Sequence, residues 1–131
     1  MRIKYFGALA GGILLASCSF QRAQVAADAQ TAMVGMSKEQ VLACMGPPMN
    51  KAAEGATEVW SYASGNGETD VVAGRGWGVA SKRFCTVNVT MASGRVSRIN
   101  YVGPSGGLLT GGEQCAYALS NCLQYQHTAG L

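Results

Sequence analysis

The sequence GMSKEQVLACMGPP, residues 35–48, predicts a short helix whose two ends are both specified by local chemistry. Ser37 is a favoured N-cap residue, since its hydroxyl accepts a hydrogen bond from a backbone N–H that the helix leaves unpaired. Gln40, three positions later, completes a capping box, in which its side chain accepts in turn from the Ser37 backbone. Gly46 and the two prolines after it stop the helix, so we expect about two turns. Cys44 lies next to the apolar face of this helix.

The 18 residues at the N-terminus are typical of an export signal that ends in a lipid-attachment site. Arg2 and Lys4 precede an apolar run, Tyr5–Ala16, that is too short to span a bilayer, which takes about 20 residues. The run ends in Leu15-Ala16-Ser17-Cys18, which resembles the bacterial lipobox of a branched apolar residue, two small residues and a cysteine. The alternative is an ordinary cleaved signal in which the cysteine is incidental.

In bacterial lipoproteins the cysteine thiol receives a diacylglycerol, the preceding peptide is removed, and the new amino group is acylated with a fatty acid such as palmitate. The resemblance therefore implies that residues 1–17 are a signal peptide and that Cys18 carries the lipid. Several acyl chains on one cysteine make attachment effectively permanent. Ser19, where inner-membrane lipoproteins have aspartate, implies the outer membrane. Residues 18–34 are then a tether or first helix, and we expect their first part to be extended.

Charge and composition exclude several classes of function. The chain has 131 residues, enough for one domain of ordinary size, and only 13% of them are charged. Loss of residues 1–17 lowers the formal net charge from +3 to +1, too little for a nucleic-acid-binding face. The single histidine, His127, lies in the C-terminal tail, and the sequence has neither closely spaced metal-ligand pairs nor paired carboxylates. We therefore expect no enzymatic activity, no cofactor and no metal site.

A strand and a glycine-rich stretch follow the capped helix. Thr57–Ala63 alternates in a pattern typical of a strand, with its aromatic residues on one face. Ser64–Ser81 predicts a long loop or a wide hairpin. Within it, GRGWG (residues 74–78) lacks the lysine and hydroxyl residue of a phosphate-binding loop. Trp77 is either a lid over the edge of the core or a partner contact, and we name Arg75 and Trp77 as partner-binding residues.

The stretch Arg83–Val102 predicts a β-hairpin with two candidate registers. A two-residue turn at residues 93–94 would place polar groups opposite the apolar face. A three-residue loop at residues 92–94 pairs Val87 with Ile99 and keeps the apolar side chains together. The three-residue loop is therefore the register that we predict.

The remaining four cysteines predict two disulfides, as is usual for an even set in an oxidising compartment. Glu113–Tyr125 reads as a C-terminal helix with Cys115 and Cys122 both facing the core. They lie about 10.5 Å apart along its axis, whereas a disulfide needs Cα atoms within roughly 7 Å. Cys44 and Cys85 must therefore each reach this helix, and either assignment of partners remains open. The alternative is that some of these cysteines are buried free thiols.

The order of these motifs resembles the SmpA/OmlA (BamE-like) family of outer-membrane lipoproteins. The resemblance rests on the lipobox, on the helix Gly35–Val41 closed by Gly46 and Pro48, on Trp60-Ser61-Tyr62, and on the hairpin Phe84–Tyr101. It implies an α+β fold with short helices packed on a three-stranded antiparallel sheet, here within residues 35–131 and with an added C-terminal helix. Family members are periplasm-facing accessory subunits of the β-barrel assembly (Bam) machinery, which bind protein partners and need no cofactor.

We therefore expect a non-catalytic, lipid-anchored outer-membrane protein that faces the periplasm. It would aid outer-membrane β-barrel protein assembly or envelope integrity, with Bam subunits as its protein partners. The alternative is a lipoprotein module that binds or inhibits another periplasmic or surface target.

Overall fold

The computed structural model describes residues 7–67, 69–103, 106 and 111–129. It has a mixed α/β architecture, which confirms that part of the prediction. None of the helices in the described part of the chain is both long enough and apolar enough to cross a membrane. The elements in chain order are α1 (Gly7–Ala32), α2 (Lys38–Met45), β1 (Asn50–Glu54), β2 (Thr57–Ser64), β3 (Thr69–Gly74), β4 (Trp77–Lys82), β5 (Cys85–Ala92), β6 (Arg95–Val102), a 3₁₀ turn (Glu113–Cys115) and α3 (Ala116–Ala129).

The main sheet has four antiparallel strands in the order β1-β2-β5-β6, one more than the three that the sequence predicts. The additional strand is β1, which pairs along its whole length with β2. Its sequence, NKAAE, lacks β-branched residues, and all of its residues are exposed. Because a strand that buries no side chain carries no period-two signal, the sequence pattern does not reveal β1.

The glycine-rich stretch after β2 is a hairpin of its own. Strand β3 pairs with β4 from Thr69 opposite Lys82 to Gly74 opposite Trp77, and the two form a sheet separate from the main one. Gly76 in the turn has a φ of 75°, which favours glycine. Of the two alternatives for this stretch, the wide hairpin is therefore the one that forms.

The β5–β6 hairpin has a different register from the predicted one. Val87 pairs with Tyr101, two positions beyond the expected partner. The two-residue turn accounts for one of these positions, and the extra residue Ser97 in β6 accounts for the other. Ser93 (φ 50°) and Gly94 (φ 80°) both have positive φ, as in the type I′ turn that matches strand twist. A β-bulge at Ser97 then turns the next apolar residues back toward the core. A two-residue turn without a bulge would place polar groups opposite the apolar face, which is why the longer loop was predicted. The bulge removes this conflict, because it restores the apolar pairing after a two-residue turn.

Residues 18–34, expected to begin as an extended tether, lie largely within α1. This segment is rich in alanine and glutamine, which are good helix formers. Ala26, Ala29 and Met33 share one face of α1 and are buried. The Tyr101 hydroxyl donates a hydrogen bond to the Ala26 carbonyl, so α1 is joined to the sheet. Tertiary packing of this face makes the segment helical from its first part onward.

Helices α1 and α3 run parallel to each other. The Arg22 guanidinium, in the second half of α1, lies over the ring of Tyr117 at the start of α3. Near the C-terminal ends of both helices, the Gln126 side chain donates a hydrogen bond to the Ala32 carbonyl. The two helices therefore run in the same direction, and α3 begins at the level of Arg22 in α1.

Helix α2 has the predicted capping box. Ser37 Oγ accepts a hydrogen bond from the Gln40 N–H at 3.2 Å, and Gln40 Oε1 accepts from the Ser37 N–H at 2.8 Å. The Gly46 N–H donates to the Leu42 carbonyl at 3.0 Å, and Gly46 has a φ of 78° with an extended ψ of −166°. This conformation is almost restricted to glycine and turns the chain toward β1.

The core lies between one face of the main sheet and the three helices. Strand β5 alternates buried and half-buried residues, as a strand with one face in the core should. The fully buried side chains of the sheet are Cys85, Val87, Val89 and Met91, and those of the helices include Met33, Val41, Leu119 and Cys122.

Candidate functional site

Cys18 is the only one of the five cysteines that has a free thiol, and it is exposed. It lies on α1 two turns before the first fully packed position, Ala26. The proposed lipidation residue is therefore accessible and close to the folded body.

The other four cysteines form two disulfides, Cys44–Cys122 and Cys85–Cys115. Their Cα–Cα distances are 4.9 Å and 5.1 Å. This confirms that Cys115 and Cys122 do not pair with each other, and it selects one of the two arrangements that the sequence leaves open. The Cys44–Cys122 bond attaches α3 to α2. The Cys85–Cys115 bond joins the start of β5 to the 3₁₀ turn before α3.

A buried ion pair lies beside the Cys85–Cys115 bond. Glu113 is only 1% exposed, and its Oε1 accepts a hydrogen bond from Arg83 Nη1 at 2.9 Å. Burial of a carboxylate is costly unless a cation compensates it, so this contact fixes the chain before β5 against the start of α3.

The same region holds the base of the β3–β4 hairpin in place. Ser64 Oγ donates to the Gln114 carbonyl at 2.6 Å and accepts from the Ala118 N–H at 2.9 Å. The Asn66 backbone N–H donates to Gln114 Oε1 at 3.0 Å, and Asn66 Nδ2 donates to the Tyr117 hydroxyl at 2.9 Å. The hairpin therefore leaves the body at the N-terminal end of α3, which is also the end where Cys18 lies.

The two proposed partner-binding residues lie at the tip of this hairpin. Arg75 is in the turn, and Trp77 begins β4 and is 58% exposed. The indole ring packs across the hairpin on Gly74, where a Cβ atom would come within 2.5 Å of the ring. Trp77 is therefore no lid over the core, and its exposed ring lies at the tip of the hairpin.

The hairpin exposes apolar side chains on both of its faces. Trp77 and Val79 lie on one face, and Val71 lies on the other, because successive residues of a strand alternate. Val79 is 62% exposed and Val71 is 69% exposed. Exposed apolar groups concentrated on one projecting element mark a protein or membrane contact.

Glu58 forms the principal charged cluster on the main sheet. Its carboxylate pairs with Lys38 and Lys51, and the Trp60 indole donates to it at 2.9 Å. The Lys38 hydrogen bond, followed by the Trp60 hydrogen bond, lowers the pKa of Glu58 to about 2. The cluster stabilises the junction of α2 with the sheet and has no proton to donate at neutral pH.

Two tyrosines also have shifted pKa values. Burial raises the pKa of Tyr62 to about 12, and burial raises the pKa of Tyr101 further. Their hydroxyls donate to the carbonyls of Gly46 and Ala26. Both groups are fixed structural donors, because each is neutral and already hydrogen-bonded to backbone.

A metal site, the single histidine and a groove are the remaining features to place among the described residues. Among them, no group of three or more His, Cys, Asp or Glu residues is placed to hold a metal ion. His127 is exposed in the last turn of α3. An open groove of about 540 Å³ lies at the other end of α1, between Met36, Arg95 and Gln126.

The sequence pattern does not reveal the contact between Arg22 of α1 and Tyr117 of α3, nor the exposed Phe20 close to it in sequence. Arg22 and Tyr117 are far apart in sequence and meet only because α1 and α3 are parallel. The one available signal was the position of Arg22, one turn before Ala26 on the same helical face.

Comparison of the chain with protein-family models, with curated proteins and with solved structures found no match. The free Cys18, the two disulfides and the exposed β3–β4 hairpin are therefore the features of the chain that bear on its function.

Proposed function

We propose that this protein is a lipid-anchored accessory protein of the bacterial envelope, attached to the outer membrane through Cys18 and facing the periplasm. It aids outer-membrane β-barrel protein assembly or envelope integrity by binding protein partners, and it catalyses no reaction. The observation that carries the proposal is the division of its cysteines: four are paired inside the fold, and the lipobox cysteine is left free and exposed. Two disulfides fit an oxidising compartment, which an export signal would deliver.

The β3–β4 hairpin is the partner-binding element in this proposal. It projects from the body and exposes apolar groups on both faces, with Arg75 and Trp77 at its tip. Trp and Arg are enriched among residues that dominate binding energy. The resemblance to the SmpA/OmlA (BamE-like) lipoproteins supports subunits of the Bam machinery as the partner.

A second candidate function is a lipoprotein module that binds or inhibits another periplasmic or surface target. It is favoured by the separate hairpin, because a projecting element with its own two-stranded sheet is an addition to the helix-and-sheet body. Two proteins with the same helix-and-sheet body can bind unrelated partners when one of them carries a distinct projecting element.

Crosslinking of intact envelopes, followed by mass spectrometry of the captured proteins, separates the two functions. Capture of Bam subunits supports the first, whereas capture of an unrelated target supports the second. Substitution of Trp77 by Ala should weaken capture by at least about thirtyfold, the effect of a binding hot spot, and change stability by less than about 0.5 kcal/mol.

Leu42→Ala is the matched control, since Leu42 is an exposed apolar residue, 44% accessible, on α2. It should leave capture unchanged. Equal losses of capture in Trp77→Ala and Leu42→Ala would contradict the assignment of the hairpin as the contact surface. A large loss of stability in Trp77→Ala would contradict it as well.

A further inference from the structure

Three side chains lie close to Cys18 or at the start of α3: Arg22 and Tyr117, which contact each other, and Phe20, which is on the opposite side of α1 from Arg22. We call them the anchor cluster. The Arg22 guanidinium carbon lies 5.6 Å from the centroid of the Tyr117 ring, and Arg22 Nη2 donates to Ser19 Oγ at 3.3 Å. Phe20 is 50% exposed and Tyr117 is 40% exposed. The cluster therefore presents an accessible tyrosine ring beside a cation on one side of α1 and an accessible phenylalanine ring on the other side.

The path from Cys18 to the folded body is short and rigid. Helix α1 continues without a break through Cys18 to Ala26, which is 1% exposed and accepts the Tyr101 hydrogen bond. Eight helical residues span about 12 Å, whereas an extended segment of residues 18–34 would span about 55 Å. Acyl chains on Cys18 would thus hold the body directly against the bilayer.

The helical position of Cys18 directs its lipid over the body. Cys18, Arg22 and Ala26 lie four residues apart, so they share the face of α1 that packs against the rest of the fold. Phe20 lies on the other side of the helix, because two residues turn it by about 200°. Tyr117 and Phe20 therefore flank Cys18 on its two sides.

The chemistry of the anchor cluster matches the boundary between lipid and water. Aromatic side chains are enriched at the headgroup level of membranes, where an apolar ring meets polar surroundings. Basic side chains at this depth are attracted to the phosphates of anionic lipids. Half-exposed rings on both sides of α1, one of them against an arginine, are costly in water and favourable at this boundary.

We propose that the anchor cluster seats the domain on the phospholipid surface, with Phe20 and Tyr117 among the headgroups and Arg22 against lipid phosphates. The inference rests on the proposed lipidation of Cys18 and adds the orientation of the domain. The β3–β4 hairpin, whose base contacts Tyr117 through Asn66, then lies close to the membrane.

The test uses the full chain purified from membranes and returned to vesicles of phosphatidylethanolamine and phosphatidylglycerol. The vesicles carry a phospholipid with a photoactivated diazirine near the headgroup end of one acyl chain. After illumination, mass spectrometry should find lipid adducts on the peptides that contain Phe20 and Tyr117, and none on α2. Adducts spread evenly over the chain, or absent from these two peptides, would overturn the inference.

A second measurement isolates the cluster from the covalent lipid. The Cys18→Ser chain should keep weak binding to the same vesicles, and adding Phe20→Ser should lower its partition coefficient about tenfold, since a half-exposed ring no longer leaves water. Adding Leu42→Ser instead is the matched control and should have no effect. An unchanged partition coefficient with Phe20→Ser would contradict the proposal.

The two proposals fail in different ways. An intact mass without acyl groups on the membrane-derived chain refutes the proposed anchor itself. An acylated chain without adducts at Phe20 and Tyr117 refutes only the seating surface. Crosslinks from these peptides to a protein in native envelopes, in place of lipid, would equally overturn it.

Discussion

At the scale of single residues, Glu58 shows how one carboxylate joins three elements. It lies on β2, and it pairs with Lys38 of α2 and with Lys51 of β1. Lys51 also lies 5.5 Å from the centroid of the Trp60 ring, so the ring covers part of the cluster. The capping box of α2 and the edge strand β1 are held to the sheet by this one group.

The Glu58 cluster predicts a loss of stability in acid. Its neighbours lower the pKa of Glu58 from 4.5 to about 2, so the ionised form is favoured in the folded protein. The stabilisation is complete above pH 4.5 and is lost as the pH falls toward 2, because protonation then removes the lysine contacts. Thermal unfolding followed across this range should show a steeper fall in Tm for the wild-type chain than for Glu58→Gln.

The control for this prediction is Glu54→Gln, which removes an exposed carboxylate from the neighbouring strand β1. It should retain the wild-type dependence on pH. If the Tm of Glu58→Gln and the Tm of the wild type fall in parallel as the pH is lowered, Glu58 is not the group responsible for the loss of stability in acid.

At the scale of elements, the sequence predicted those structures whose signals are local. The capping box of α2 and the face of α3 that carries Leu119 and Cys122 depend on neighbouring residues, and both formed as expected, whereas Cys115 lies in a 3₁₀ turn before α3 and not in the predicted helix. Strand β1 depends on β2 for its partner and buries nothing. The extended tether was wrong because α3 and the sheet supply the packing that makes residues 18–34 helical. A short window of sequence shows neither the pairing that forms β1 nor the packing that makes residues 18–34 helical.

The same limit applies to the candidate site. Sequence motifs identified Cys18 and the four paired cysteines, and the glycine-rich pattern identified the stretch that holds Trp77. The choice between two disulfide arrangements required the three-dimensional positions of α2 and β5 relative to α3. The anchor cluster required the parallel packing of two helices.

The bulge in β6 leads to a prediction about deletions. Ser97 is the extra residue between the pairs Thr90–Arg98 and Met91–Val96. No residue of β5 is paired opposite it, and its hydroxyl donates a hydrogen bond to the Thr90 carbonyl. Deleting Ser97 should therefore preserve the pairing on both sides and change stability modestly. Deleting Asn100, which does have a partner in β5, should turn Tyr101 to the outer face and break its hydrogen bond to Ala26.

Urea denaturation of the two deletion variants tests this prediction. Removal of the Tyr101 contact and of its buried ring should cost the Asn100 deletion at least about 2 kcal/mol more than the Ser97 deletion. Equal costs would mean that the bulge has a role other than register correction.

At the scale of the whole molecule, the two disulfides compensate for a small core. One lies near the middle of α3 and the other at its start, so the helix is fixed to the fold at two separate points. Domains of this size bury a limited fraction of their surface, and crosslinks reduce the entropy of the unfolded chain. Part of the stability of the fold therefore comes from these two covalent crosslinks.

Replacing Cys44 and Cys122 together by Ala should lower the free energy of unfolding by about 4 kcal/mol, and so should replacing Cys85 and Cys115. The expectation follows from the sequence separations of 78 and 30 residues that the bonds close. Urea denaturation of each double variant measures the loss.

Cys18→Ser, measured in the same detergent, is the control and should leave the unfolding midpoint unchanged, since Cys18 forms no disulfide. A midpoint in either double variant equal to that of the wild type would show that the bond adds nothing to stability.

The pairing of the cysteines also constrains the order in which an exported chain can mature. The bonds are nested, because Cys85–Cys115 lies within the interval closed by Cys44–Cys122. A chain that emerges from its N-terminus exposes Cys44 and Cys85 first, and these two are not native partners. An oxidant that joined cysteines as they appeared would make the wrong bond, which only thiol–disulfide exchange would correct. In the proposed export Cys115 emerges before Cys122, so the inner bond can form before the outer bond, which must wait until the middle of α3 has emerged.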